Sequence, residues 1–106
     1  MKDNQLTINE LTEKMNALVK SKGWYEIDSK RPQTPRNPAI SLSLEAAEIL
    51  EHFQCRDESQ DQNELASELA DVALYLFQLA SVSHINLEQA ILNKIEINKT
   101  RTWDEK

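Results

Sequence analysis

Two stretches decide how this chain folds: Ser43-Leu44-Glu45-Ala46-Ala47-Glu48-Ile49-Leu50-Glu51-His52-Phe53 and Glu68-Leu69-Ala70-Asp71-Val72-Ala73-Leu74-Tyr75. Neither holds a Gly or Pro, and both are rich in Leu, Ala and Glu, which favour helix. On a helix, residues three apart lie roughly 60° apart around the axis. Glu45 and Glu48 therefore share one edge, beside an apolar stripe of Leu42, Ala46, Ile49, Leu50 and Phe53. Glu68 and Asp71 repeat the arrangement, and Glu64 and Tyr75 extend their line by four residues on either side.

The charged segment from Arg56 to Gln62 separates the two helices and is short enough to fold them antiparallel. Counted inward from that turn, the two acidic pairs reach the same height. Four carboxylates beside a core repel one another and would not all ionise. Hard divalent cations resolve that crowding, and Mg²⁺ prefers oxygen ligands.

Outward from this centre the pattern stays helical. Thr7 and Glu10 make a capping box before Ile8, Leu11, Met15 and Leu18, so a helix is expected from Ile8 to about Lys22, ended by Gly23. All three prolines fall between Arg31 and Pro38; Pro32 and Pro35 lie in a polar loop, Trp24 to Asn37, with Lys30, Arg31 and Arg36. Pro38 reads as the first residue of the second helix, with Asn37 as its cap and an end near Cys55. The third helix is expected from near Asn63 to Val82, with Asp61 and Glu64 as capping partners. Asn86 and Gln89 start a fourth, from Leu87 to about Thr100. The expectation is one all-α domain over residues 1–106, a four-helix bundle.

Leu69 through Ala80 is apolar almost all the way round. Three neighbouring helices in so short a chain do not cover it, so a second subunit is expected there. The most apolar stretch, Leu69 to Val82, is about 14 residues and reads as too short and too polar to span a bilayer. No signal-like segment opens the chain, and the single cysteine, Cys55, allows no internal disulfide. The expectation is a cytoplasmic protein with no membrane partner. The net charge of −6 makes a nucleic-acid polymer a poor partner. It also means that a nucleotide site here needs a cation between two sets of anions.

On the fourth helix, Lys94, Asn98 and Arg101 continue the stripe that begins with Leu87, Ala90 and Ile91. They would aim cationic groups at the edge of a packed interior, where Lys and Arg suit phosphate. The competing reading is a basic last turn that complements the helix dipole. Cys55 is read as a small packing residue and His52 as a surface histidine.

Taken together, these residues resemble the MazG-like nucleoside triphosphate pyrophosphohydrolases. The resemblance rests on Glu45-x-x-Glu48, a 19-residue spacer, Glu68-x-x-Asp71, and Lys94-x-x-x-Asn98-x-x-Arg101. It implies a homodimer or a dimer of dimers that splits the α–β phosphate bond of an NTP or dNTP. It implies Mg²⁺, with Mn²⁺ as a substitute, on Glu45, Glu48, Glu68 and Asp71. A glutamate of the first pair, Glu48 or Glu45, would accept the proton of the attacking water. Lys94, Asn98, Arg101, Tyr75 and Trp24 would contact the nucleotide. The implied role is nucleotide-pool house-cleaning. Some relatives carry Trp where this chain has Cys55, which leaves base preference open. The rival readings are a dUTP or phosphoribosyl-ATP hydrolase of the same superfamily, and a non-catalytic helical adaptor or antitoxin-like oligomer.

Overall fold

A computed structural model describes residues 5–26, 28, 30 and 34–102. Arg31, Pro32 and Trp103 lie outside the described residues. Four helices and no strands occur among those described: α1 (Ile8–Ser21), α2 (Arg36–Glu51), α3 (Gln62–Val82) and α4 (Leu87–Asn98).

Three of the four starts follow their capping residues. Thr7 Oγ1 accepts from the Glu10 N–H at 3.0 Å while Glu10 Oε1 accepts from the Thr7 N–H at 2.8 Å. Asp61 Oδ1 accepts from the Glu64 N–H, and Asn86 Oδ1 from the Gln89 N–H. Gly23 takes φ +72 just past α1, the left-handed stop that glycine adopts freely.

The second helix departs from expectation at both ends. It begins at Arg36, and its cap residue Pro35 makes no side-chain bond. Pro38 sits one turn in and is fully buried. A proline anywhere in the first turn loses no helical hydrogen bond, so its position alone did not fix the start. Asn37 is inside the helix, donating its N–H to Thr34 O at 3.1 Å. The helix ends at Glu51 rather than Cys55, as the chain tightens through Phe53 N–H to Leu50 O. Cys55 then takes φ +63 and is exposed, so it is not a packing residue. The fourth helix likewise ends early, at Asn98, leaving Arg101 beyond it.

The α2 and α3 helices pack together most extensively, and α1 lies on α3. Met15, Val19 and Ala80 form the small buried apolar cluster among the described residues. Beside it runs a polar seam. Asn16 Nδ2 donates to Ser81 Oγ at 2.9 Å, and the Tyr25 hydroxyl donates to Asn16 Oδ1. Gln78, 5% exposed, hydrogen-bonds Tyr25. Burial pushes the Tyr25 pKa above its usual value, and the Gln78 bond partly offsets this.

A single copy leaves much apolar surface uncovered. Ala46 and Leu50, expected on the inward stripe of α2, are exposed, Leu50 by 65%. Leu69, Leu74 and Leu76 of α3 are exposed as well. The surface of 8476 Å² far exceeds the roughly 6,100 Å² typical of a compact monomer of this mass. The radius of gyration, 16.4 Å, exceeds the ~13 Å of a compact domain of this length.

By length and composition α3 is apolar enough to cross a membrane, with mean hydropathy 1.3 over 18 residues. The helix runs 21 residues, close to the bounds expected from sequence, and is longer than its most apolar stretch, Leu69 to Val82. Its two later acidic residues, Glu68 and Asp71, nevertheless stand beside the carboxylates of α2, which gives that face a protein neighbour.

A candidate metal centre between the second and third helices

The site is built by antiparallel pairing. Residues climb α2 as they descend α3, so an acidic edge on one helix meets its counterpart on the other. The result is visible at Glu45, which is half-buried. Its carboxyl pKa is raised, first by loss of solvent and then by the charges of Glu48, Asp71 and Glu68. All four carboxylates of the two acidic pairs are therefore close enough to repel at one place.

One turn further on, the acidic edge opens into a cleft lined by Glu48, Glu51, His52, Gln60, Glu64 and Glu68. His52 is not a surface residue. It is 8% exposed, with Nε2 2.8 Å from Glu68 Oε1 and Nδ1 2.9 Å from Ser59 Oγ. One ligand-type atom each of His52, Glu64 and Glu68 lie within 4.8 Å of one another. The donor set along this edge is dominated by carboxylate oxygen, which suits a hard divalent cation.

Sequence reasoning placed His52 on the same edge, four residues after Glu48, yet read it as solvated. The packing of α2 on α3 is what buries it. Ser59 carried no signal, because only the closure of the loop brings it to His52.

The α4 helix touches α1 and α3 but makes no contact with α2. Glu88 at its start accepts from the Asn9 N–H at 3.3 Å, so it ties α4 to α1 rather than standing as a plain surface charge. Arg101 Nη1 donates to Asn98 Oδ1 at 3.3 Å, and Lys94 is exposed. Tyr75 is half-buried, one turn after Asp71 on α3. Trp24 is half-buried in the turn after α1, a helix that does not touch α2.

A family model described as MazG-like matches residues 40–106, which takes in both acidic pairs and all of α4. The chain belongs to the MazG-like family. Among curated proteins it is similar to dCTP pyrophosphatase 1 of mouse, 32% identical over 85 residues, covering 72% of this chain and 50% of that protein. The human and bovine proteins of the same name are 32% and 31% identical over the same shares. The chain spans about half the length of the curated relatives it matches.

Proposed function

We propose that this MazG-like chain hydrolyses the α–β phosphate bond of nucleoside triphosphates, releasing a monophosphate and pyrophosphate, with Mg²⁺ held by Glu45, Glu48, Glu68 and Asp71. The observation that carries this reading is the juxtaposition of Glu45 with Glu48, Asp71 and Glu68, which crowds like charges onto one edge. A set of anions so arranged is suited to binding a cation rather than a bare anionic nucleotide. The names of the relatives place dCTP first among substrates to try.

Bound Mg²⁺ would supply positive charge at the phosphate oxygens and make water more acidic. The carboxylate of Glu48, or of Glu45, accepts the proton of the water that attacks phosphorus, and pyrophosphate leaves. Lys94, Asn98 and Arg101 bind phosphate, with Tyr75 and Trp24 on the nucleoside side. Because α4 packs on α1 and α3 and not on α2, Lys94, Asn98 and Arg101 are proposed to act across a subunit boundary. The proposed assembly is a homodimer or a dimer of dimers, in keeping with the surplus of apolar surface. The proposed setting is the cytoplasm and the task nucleotide-pool house-cleaning.

The test is pyrophosphate release from a panel of canonical and modified triphosphates, with and without Mg²⁺, by the wild-type protein and by E48Q and D71N. Release that needs Mg²⁺ and is lost in both variants supports the reading. Wild-type rates in both variants overturn it. Thermal melting separates an adaptor from an enzyme, because a ligand that binds only the folded state raises the melting temperature.

A further inference from the structure

The cleft contains one histidine that the proposed reaction does not use. His52 caps α2 yet turns its ring inward, across to α3. Both ring nitrogens are engaged, one by Ser59 and one by Glu68, and the ring is almost fully buried. Such a residue is costly to place unless both partners are satisfied, and no buried side-chain polar atom among the described residues lacks a partner.

The proton positions follow from the neighbours. Ser59 Oγ accepts from the Asp61 N–H at 3.1 Å. Its single hydroxyl proton has two acceptors in reach, Asp61 O at 3.1 Å and His52 Nδ1 at 2.9 Å. A carboxylate oxygen only accepts, so it is the Nε2–H that donates to Glu68 Oε1 at 2.8 Å. A path of polar contacts runs from Asp61 through Ser59 and His52 to Glu68. It begins at the residue that caps α3, since Asp61 Oδ1 also accepts from the Glu64 N–H.

We propose that His52 is a positioning residue that fixes the Glu68 carboxylate for the cation, an inference that rests on the metal-dependent reading above. A carboxylate on a Glu side chain has three torsions to settle. A hydrogen bond from a buried, doubly anchored ring removes most of that freedom at Oε1, so Oε2 keeps one direction. Glu45, Glu48 and Asp71 have no such donor among the hydrogen bonds and ion pairs described, which makes Glu68 the pre-set member of the four. Partners of this kind, behind a metal ligand, typically change metal affinity or activity about 10- to 100-fold when removed.

The experiment measures Mn²⁺ binding to the full chain by electron paramagnetic resonance, alongside the Mg²⁺ concentration for half-maximal pyrophosphate release. Wild type, H52L, H52Q, S59A and E68Q are compared. H52L keeps an apolar side chain but has no donor, and H52Q offers a donor amide near the position of Nε2. The expected result is Mn²⁺ binding weakened about 10- to 100-fold in H52L, a few-fold in S59A, and largely restored in H52Q. A purely structural role would not be rescued by Gln. Wild-type binding in H52L, with binding lost in E68Q, overturns the positioning role and leaves the metal reading standing. No Mn²⁺ binding by wild type overturns the metal reading itself. If H52L does not fold, S59A and H52Q decide: S59A at wild-type strength overturns the proposal, and S59A weakened with H52Q restored supports it.

Discussion

The third helix carries two polar regions that behave in opposite ways. Near its C-terminal end, Gln78 and Ser81 meet Asn16 and Tyr25 in a seam of amides and hydroxyls. Nearer its start, Glu68 and Asp71 meet Glu45 and Glu48. In the seam each donor faces an acceptor and no net charge is buried, so the groups complete one another. On the acidic edge every group is an acceptor, and the described donor is the one ring nitrogen of His52. A closed set of complementary partners holds a fold together. An open set of like charges does not, and it makes chemical sense only with something positive added from outside.

The contrast can be broken most forcefully at the acidic edge. Asp71→Asn or Glu48→Gln is expected to lower pyrophosphate release by roughly a thousandfold, the scale of the several kcal/mol that metal catalysis supplies. Circular dichroism and the oligomer mass should stay as in wild type. Cutting the seam should do the reverse. Asn16→Ala removes the acceptor of the Tyr25 hydroxyl and the donor to Ser81, at about 1–3 kcal/mol. That is a drop of roughly 4–24 °C in Tm at about 4–8 °C per kcal/mol, with the Mg²⁺ concentration for half-maximal activity unchanged. If the seam variant instead shifts Mg²⁺ dependence, the two regions are not separate.

How much of this was legible in the sequence differs between the two regions for a physical reason. Glu45, Glu48, Glu68 and Asp71 sit at fixed helical spacings on helices joined by a short turn, so geometry local to the chain predicted their meeting. The seam joins Asn16 to Ser81 and Tyr25 to Gln78, pairs far apart in sequence that no periodicity relates. His52 was visible as a neighbour of Glu48 one turn on, but its burial depends on how closely α3 approaches. The start of α2 was misread because Pro38 is acceptable at several positions in a first turn. The early end of α4 removed Arg101 from the helical stripe, and α4 packs on α1 and α3 rather than on α2.

A subtler probe sharpens the difference in charge. The Glu45 carboxyl has a folded-state pKa raised from an ordinary value of 4.5. The folded state therefore holds this proton more tightly than the unfolded chain. The stability this gives is fully present below the unfolded pKa and is lost as pH rises through the folded one. In the metal-free protein, Glu45→Gln should melt higher than wild type at neutral pH, and the gap should close as pH falls below about 4.5. Melts in EDTA across pH check this, and adding Mg²⁺ should raise Tm in wild type but less in the variant.

The uncovered leucines and isoleucines have a consequence for how the protein behaves when scarce. Leu44, Leu50, Leu69, Leu92 and Ile97 are each more than half exposed in one copy. If other copies shield them, native stability is tied to how often copies meet, so the melting temperature should climb as the solution is made more concentrated. Dilution would then dismantle the fold and its acidic edge in one step, and a damaged copy would spoil whichever intact copies it joined.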